Sequence, residues 1–520
     1  MKTFLLLAAV AGVVSTIHAA DRPNIIVFYT DDHGHADLSC QGVVADVKTP
    51  HIDALAASGV RAVNGYSTAP QCVPSRAGLM VGRFQNRFGV ESNPDPLDGF
   101  NRETTLAERL QAQGYVTAQF GKWHLGPPHE ISQHGFRHVF SQNAQRPFFA
   151  NINDEGQDIP PVELLPGRYH LDACARAAAA VIERYQDEPF FLYVAFRAPH
   201  TPLDAPPEYV ERFPGPMPER RRQALAMISA VDDGVGRVME TLARCGLTEK
   251  TLIFLIGDNG APLKIHKIDS PVKGDPGGWD GSLNDPLNGE KGMLSEGGMH
   301  VPFVVAWPGV IPGRQVYPHA VSALDVAATA VEIAGLGEAQ GLGLDGVNLV
   351  PFLTGQKAGP PHETLYWRWI AQSAIREGDW KLLRGGEREY LYNLAEDLEE
   401  KHNLASQEPE RVARLREKLV AWSAQLSPAG LTTGEMSPVW EEYFDVYLEG
   451  KPATEAPTRG ERRSMQWVAR NGELKQADGE FWIDPDSSGR LPFLAVTGFK
   501  AQGPVTLVLR LKSDEKGEVG

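Results

Sequence analysis

Short apolar runs that end abruptly in polar residues constrain the fold of this chain more than any other feature of its sequence. Four of them read NIIVFYT, VTAQF, PFFLYVAF and TLIFLI, at residues 24–30, 116–120, 189–196 and 251–256. Apolar residues at helical spacing occupy the intervening segments 105–113, 171–185 and 221–244. Buried strands that alternate with helices predict an α/β fold with a large, mostly parallel central sheet flanked by helices.

The ends of these predicted strands carry the polar side chains that an active site needs. They are Asp31 and Asp32 after the first strand, Lys122 and His124 after the second, His200 after the third, and Asp258 and Asn259 after the fourth. In open α/β sheets the active site lies beyond the carboxyl ends of the strands, so we expect these residues to meet. Asp31, Asp32, Asp258 and Asn259 offer oxygen ligands, which Ca²⁺ or Mg²⁺ prefers, whereas Zn²⁺ favours nitrogen and sulfur.

The sharpest local motif is CVPSR at residues 72–76, which continues as AGLMVGR to Arg83. Pro74 biases Val73 towards an extended conformation and favours the start of a helix. Residue 72 is therefore predicted just before a helix N-terminus, where backbone amides and the helix dipole favour an anion. The motif resembles the signature of the type I, formylglycine-dependent sulfatases of the alkaline-phosphatase superfamily. The resemblance runs in order from about residue 22 to about residue 404.

The resemblance implies a modified residue and a metal. In that family a maturation enzyme oxidises the cysteine, here Cys72, to Cα-formylglycine before the chain folds. One oxygen of the formylglycine then binds the metal, usually Ca²⁺ and alternatively Mg²⁺. The ligands that the resemblance implies are Asp31, Asp32, Cys72, Asp258 and Asn259.

The resemblance also implies a cationic catalytic set of Arg76, Lys122, His124, His200 and Lys291. Converging cations suit a sulfate ester, because the charge on its peripheral oxygens must be held while the S–O bond breaks. A hydroxyl of the hydrated aldehyde would attack sulfur, oriented by Arg76, Lys122 and Lys291. His200, with a share for Lys291, would protonate the leaving alcohol. His124 would take the proton from the second hydroxyl.

Three further residues are predicted to contact the substrate. Arg87 and Trp279 lie in two long loops, residues 83–98 and 264–286, and long loops over a rigid sheet set specificity. Trp279 would stack on a sugar ring, although a Trp that anchors its own loop fits the sequence equally well. His300 stands where the family often has an arginine before Val-Pro, either as a substrate-facing variation or as a tolerated change.

The chain divides into four predicted parts. Residues 1–20 have the charge, apolar run and small residues of a signal peptide, so we expect export to the periplasm or the medium without a membrane anchor. Residues 21–355 form the catalytic domain, and residues 356–430 an α+β subdomain of antiparallel strands and one helix. Residues 431–520 are predicted to be an accessory, β-rich and truncated region.

Charge and cysteine content exclude other classes of protein. With 50 Lys and Arg against 66 Asp and Glu, the net charge of −16 argues against nucleic-acid binding. Four cysteines are too few and too irregularly spaced for a disulfide scaffold or a Cys-x-x-Cys metal site.

We therefore predict an exported sulfuric ester hydrolase that releases sulfate from sulfated carbohydrate or polysaccharide fragments. Two alternatives stay open at this point. One is a formylglycine-dependent phosphonate or phosphate ester hydrolase of the same superfamily. The other is a non-catalytic glycan-binding protein in which Cys72 is never modified.

Overall fold

A computed structural model of the protein describes residues 22–141, 148–164, 167–263, 279–431 and 436–453, together with strand segments 466–470, 472–477, 480–485 and 493–497. The chain forms two compact units, Met1–Ala453 and Thr454–Gly520. The predicted signal peptide lies outside the described residues. The predicted boundaries at residues 355 and 430 stay predictions.

The strands described in the first unit are β1 (Asn24–Asp31), β2 (Val60–Ala62), β3 (Gly65–Tyr66), β4 (Val116–Gly121), β5 (His138–Ser141), β6 (Phe148–Ile152), β7 (Asp158–Leu164), β8 (Phe190–Pro199), β9 (Thr251–Gly257), β10 (Phe303–Ala306), β11 (Gln315–Tyr317), β12 (Val321–Ser322), β13 (Thr364–Trp369), β14 (Gln372–Glu377), β15 (Trp380–Gly385) and β16 (Arg388–Asn393).

The α-helices described in this unit are α1 (Pro50–Ala57), α2 (Cys72–Val81), α3 (Leu106–Ala112), α4 (His170–Arg184), α5 (Pro207–Val210), α6 (Glu219–Arg244), α7 (Glu296–Met299), α8 (Asp325–Ile333), α9 (Val350–Leu353), α10 (Pro409–Ser423) and α11 (Pro438–Tyr447). Short 3₁₀ helices occupy Ser39–Gln41, Gln85–Phe88, Phe100–Arg102, Pro128–His134, Thr248–Lys250 and Gln340–Leu342.

Ten strands form the central sheet, in the order β11-β2-β10-β9-β1-β8-β4-β5-β6-β7. The five central strands β9, β1, β8, β4 and β5 run parallel to one another, whereas β10, β6 and β7 add antiparallel neighbours. The predicted large, mostly parallel sheet is confirmed. The register of β1 against β8 shifts between Tyr29 and Asp31, at the carboxyl end of both strands.

Side chains alternate between two hydrophobic cores, one on each face of this sheet. Along β1, Ile25, Val27 and Tyr29 belong to one core, and Ile26 and Phe28 belong to the other. Residues of α2, α3 and α8 complete the first core, and residues of α1, α4 and α6 complete the second. All eight residues of β1 are buried, which explains why its sequence is apolar throughout rather than alternating.

Local sequence signals account for the start of α3 and the end of α2. At α3 the Thr105 side chain accepts a hydrogen bond from the Glu108 amide, and the Glu108 carboxylate accepts one from the Thr105 amide. This reciprocal capping box satisfies two otherwise free amides. Helix α2 ends at Gly82, whose φ of 72° favours glycine over any residue with a Cβ atom.

A small antiparallel sheet of β13, β14, β15 and β16 follows the central sheet and confirms the predicted α+β subdomain. On one face it packs against α10 through Val412, Leu415, Leu419 and Trp422, the residues that the helical spacing places on one stripe. On the other face it packs against α11 and against residues around α7 of the catalytic domain. Both faces of the small sheet are therefore covered.

The second unit contains four described strands: β17 (Gln466–Arg470), β18 (Gly472–Ala477), β19 (Glu480–Pro485) and β20 (Phe493–Thr497). Strand β17 pairs antiparallel with β20, and β18 pairs antiparallel with β19. A strand predicted at residues 505–511 lies outside the described residues. In the described parts of the whole chain, no helix is both long and apolar enough to cross a membrane.

Candidate active site

Four neighbouring strands deliver the predicted polar residues to one edge of the central sheet. Strands β9, β1, β8 and β4 lie side by side and parallel, so their carboxyl ends are adjacent. The residues at these ends are Asp258 and Asn259 for β9, Asp31 and Asp32 for β1, His200 for β8, and Lys122 for β4. One atom each of Asp31, Asp32, Cys72 and His200 lies within 4.8 Å of the others.

Cys72 is the first residue of α2 and is fully buried. Its Sγ lies 3.4 Å from Asp31 Oδ1 and 3.8 Å from Asp32 Oδ1. Burial, reinforced by the negative charge of Asp258, raises the pKa of the Cys72 thiol well above its ordinary value. An unmodified Cys72 is therefore a protonated thiol and a poor nucleophile, because only the thiolate form reacts.

Two lysines hold the first carboxylate pair. Lys122 Nζ donates to both oxygens of Asp31 at 2.8 and 2.7 Å, and Lys291 Nζ reaches both oxygens of Asp32 at 2.6 and 2.8 Å. Lys291 Nζ also lies 3.2 Å from Cys72 Sγ. Burial by itself lowers the pKa of Lys291, but attraction to the Asp32 and Asp31 carboxylates raises it overall, so the ammonium stays charged beside Cys72.

Arg76 lies one helical turn beyond Cys72 and is fully buried. Its Nη2 donates to Asp258 Oδ2 at 2.8 Å and lies 3.5 Å from Asp31 Oδ1, and its Nη1 donates to the hydroxyl of Tyr193 at 3.2 Å. Arg76 therefore connects the carboxylates at the ends of β1 and β9 and fixes their spacing.

The two predicted catalytic histidines occupy different environments. His124 has a φ of 63°, and its buried Nδ1 has no hydrogen-bond partner in the described structure. Burial and the nearby Lys122 lower the pKa of His124 to about 2, so its ring is neutral. His200 is 28% exposed, with Nε2 3.6 Å from Asp32 Oδ2, and burial lowers its pKa to about 4.

The donor set fits a divalent cation. Burial and then repulsion from Asp31 raise the pKa of Asp258 to about 7. The side-chain oxygen of Asn259 is buried and has no partner among the described residues. Asp31, Asp32, Asp258 and Asn259 thus offer the oxygen ligands of a Ca²⁺ or Mg²⁺ site.

The three predicted substrate-contacting residues make their described polar contacts elsewhere. Trp279 Nε1 donates to the Ser282 carbonyl at 2.6 Å, and Arg87 donates twice to Asp345 at 2.8 Å. His300 is 1% exposed, and its Nδ1 lies 3.0 Å from Glu296 Oε2. Burial of His300 favours a packing role over direct contact with substrate, and Trp279 and Arg87 stay predictions.

Sequence reasoning missed a buried ion-pair network behind the site. Lys381 of β15 lies 2.7 Å from Glu296 and 2.9 Å from Glu400, and all three residues are fully buried. Glu296 also accepts a hydrogen bond from the Tyr66 hydroxyl at 2.7 Å. The signal in the sequence was weak, because the three charged residues are far apart along the chain and each one alone resembles a surface residue.

Arg197, which interacts electrostatically with Asp31, was not named as a site residue from the sequence. It interrupts the apolar run of β8 three residues before His200, and its side chain is buried. The sequence signal that could have identified it is a charged residue within the otherwise apolar strand FFLYVAFRAP, residues 190–199.

Comparison with known proteins agrees with this geometry. The Sulfatase family model matches residues 23–336, and the model described as N-sulphoglucosamine sulphohydrolase, C-terminal, matches residues 289–425. Because the first of these covers more than half of the chain, the protein belongs to the sulfatase family, a family of sulfuric ester hydrolases.

Individual relatives extend over most of the chain. The uncharacterized sulfatase YdeN of Escherichia coli is 32% identical over 433 residues, covering 72% of this chain and 74% of the relative. Arylsulfatase A of Homo sapiens is 31% identical over 499 residues, covering 82% of this chain and 91% of the relative. The crystal structure of Ps i-CgsB in complex with k-i-k-neocarrahexaose has a TM-score of 0.66 and 28% identity, and covers 82% of this chain and 97% of that chain.

Proposed function

We propose that this protein hydrolyses sulfate monoesters of carbohydrates and releases inorganic sulfate. The single observation that carries the proposal is the placement of Cys72 at the N-terminus of α2, where Lys291 Nζ and the Asp31 carboxylate both contact its Sγ. A residue converted to a nucleophile at this position would face a helix N-terminus and buried cations, both of which favour a bound sulfate.

The cationic residues would hold the sulfate group. Lys122 and Lys291 bring two ammonium groups to the Asp31–Asp32–Cys72 cluster. Arg76 donates a hydrogen bond to Asp258, which lies at the end of the neighbouring strand β9. Donors fixed before the substrate arrives stabilise developing charge without reorganising during the reaction. The buried ion pairs supply that fixed arrangement.

The two histidines would divide the proton transfers. The partly exposed His200 lies at the open side of the cluster, so we assign it the proton donor for the leaving alcohol. A bound sulfate ester places negative charge beside His200 and raises its pKa from about 4 towards the protonated form that this role needs. The buried, neutral His124 is suited to accept a proton at its free Nδ1.

Two groups complete this site in our proposal. Asp31, Asp32, Asp258 and Asn259 would hold Ca²⁺, with Mg²⁺ as the alternative, and the bound cation would supply Lewis-acid activation and charge compensation. Cys72 would be converted to formylglycine by a maturation enzyme before folding. Burial raises the pKa of the unmodified Cys72 thiol, and the conversion would supply a hydroxyl nucleophile in its place.

Metal binding should be visible in stability without any assay of turnover. Adding Ca²⁺ at about 100 times its Kd to metal-stripped protein should stabilise the fold by about 2.7 kcal/mol, measured by thermal unfolding. Asp32→Asn should lose most of this shift, because it removes one of the buried carboxylate ligands.

A matched control addresses a second cluster of potential ligands, His51, Asp232 and Asp233. In that cluster Asp232 already accepts hydrogen bonds from the amides of His51 and Ile52, at 3.2 and 2.8 Å, and so caps α1. Asp233→Asn should keep the Ca²⁺ shift. Equal shifts in Asp32→Asn and the wild type would place the metal somewhere else.

The reaction is tested by supplying matched sulfate and phosphonate monoesters of the same alcohols, together with defined sulfated oligosaccharides, to protein whose Cys72 state has been measured by mass spectrometry. Sulfate release from the oligosaccharides, faster than turnover of the phosphonate esters, is the expected result. A clear phosphonate preference would favour the related hydrolase activity. Protein from its native host that keeps Cys72 as an unmodified thiol and binds the oligosaccharides without turning over any ester would favour the glycan-binding role.

Export is part of the proposal and is supported by the pattern of residues 1–20. N-terminal sequencing of the protein recovered from the periplasm or medium of its host should find a mature chain that begins close to residue 21. An intact N-terminus on cytoplasmic protein would contradict export.

A further inference from the structure

Arg197 is a buried cation without a counter-ion contact among the described residues. It lies near the carboxyl end of β8, and its side chain is 2% exposed. Its Nη1 and Nη2 have no hydrogen-bond partner anywhere in the described structure. Buried guanidinium groups are nearly always paired, because an unpaired buried charge is costly. The free Nη1 and Nη2 atoms therefore indicate that an acceptor from outside the described chain completes this position.

Tyr169 supplies a second free donor in the same region. It is the N-cap residue of α4, and its hydroxyl is buried without a partner among the described residues. Tyr169 and Arg197 lie within electrostatic range of each other and of Asp204. A guanidinium and a phenol hydroxyl both donate, so the group that would satisfy them is rich in acceptor oxygens.

The carboxylates nearby are engaged elsewhere. Asp31 interacts with Arg197 over a distance, but its oxygens receive hydrogen bonds from Lys122 and lie 3.5 Å from Arg76. Asp204 lies 3.5 Å from His170 Nε2. Neither carboxylate forms an ion pair with Arg197 in the described structure, so the guanidinium stays available to a ligand.

The position of Arg197 near His200 suits contact with the sugar alcohol that leaves during the reaction. It precedes His200 by three residues on the same strand end, and His200 is the residue that we assign to the leaving alcohol. A group that binds near Arg197 would thus belong to the sugar and not to the sulfate that is released. The fork of a guanidinium matches the oxygens of a carboxylate or a sulfate.

We propose that Arg197 and Tyr169 form a second anion subsite, which binds a further sulfate or carboxylate substituent of the carbohydrate substrate. This inference rests on the proposed sulfatase function and adds a specificity determinant to it. A substrate without the second anionic group leaves Arg197 and Tyr169 buried and unpaired, and sites that leave buried polar groups unpaired discriminate strongly.

The test compares kcat/KM for three versions of one sugar: the scissile sulfate alone, the same sugar with a second sulfate, and the same sugar with a carboxylate. Wild-type protein should prefer at least one doubly charged version by about tenfold or more. The version that is preferred identifies the second group. Arg197→Gln should reduce the preference to about onefold.

Two further variants keep the test sharp. Arg168→Gln is the matched control, because Arg168 is 48% exposed and pairs with Asp154 on the surface, and it should keep the wild-type preference. Tyr169→Phe removes one hydroxyl and should reduce the preference in part. If circular dichroism shows that Arg197→Gln does not fold, the kcat/KM comparison is made with Tyr169→Phe instead.

The outcomes separate the two proposals. A wild type that hydrolyses the monosulfated sugar without preferring either doubly charged version overturns the subsite and leaves the sulfatase function intact. The same holds for a preference that survives Arg197→Gln. A wild type containing formylglycine that releases sulfate from none of the three versions counts against the proposed function itself.

Discussion

Replacing Cys72 by alanine should lower kcat for sulfate ester hydrolysis by at least about 10⁴-fold, because loss of a nucleophile removes the covalent route altogether. The substitution removes a buried Sγ and leaves the ion pairs of Asp31 with Lys122 and of Asp32 with Lys291 in place. We therefore expect a folded protein that is inactive. Sulfate release and circular dichroism, measured on the same preparation, check both parts.

The control for this experiment is another cysteine. Cys245 follows α6, is free and is partly buried, so Cys245→Ala should keep wild-type turnover. Wild-type protein must first be shown by mass spectrometry to carry formylglycine at position 72, since an unmodified wild type would be inactive as well. Turnover by Cys72→Ala at more than about 1% of the modified wild type would refute the assignment of the nucleophile.

Replacing Lys381 by methionine should lower the free energy of unfolding by about 3–5 kcal/mol, because Glu296 and Glu400 would remain buried without the positive charge that pairs with both of them. Burial already raises the pKa of Glu400 to about 7 in the presence of Lys381. Without Lys381, both carboxyls can avoid the cost of a buried charge only by binding protons. Chemical denaturation of variant and wild type measures the difference.

The pH dependence of that loss follows from the direction of the pKa shifts. A carboxyl whose pKa is higher in the folded state than in the unfolded state stabilises the fold at low pH, and this contribution is lost as the pH rises. The loss of unfolding free energy in Lys381→Met, relative to the wild type, should therefore be smaller at pH 5 than at pH 8. Lys401→Met, at a side chain 64% exposed, should leave the free energy of unfolding close to the wild-type value at either pH. A deficit independent of pH would contradict the buried-charge explanation.

The sequence was most informative where burial is uniform. Strands β1, β4, β8 and β9 are buried along their whole length, so each one appears as an apolar run, and their polar ends could be expected to meet. The edge strands were not predicted. Strand β7 reads DIPPVEL and β11 has only three residues, and neither shows the pattern of a buried strand.

The other features that the sequence did not predict depend on contacts between residues that are far apart along the chain. The cationic set could be inferred because a family signature links its members, although Cys72 and Lys291 are 219 residues apart. No comparable signature links Lys381 to Glu296, or Arg197 to Tyr169. Whether a buried charge has a partner depends on how distant elements pack, and a linear pattern does not carry that information.

Helix α11 shows what the packing around Lys291 requires of the chain. Gly292, next to Lys291, has a φ of 87°, and a Cβ atom there would come within 2.1 Å of the Trp440 ring. Trp440 belongs to a segment that the sequence assigned to the accessory region, yet its ring packs against Gly292, which follows the proposed catalytic residue Lys291. A chain shortened to end at residue 430 would keep every residue of the proposed chemistry but lose the packing of Trp440 beside Gly292. We therefore expect the smallest unit able to turn over substrate to extend through α11.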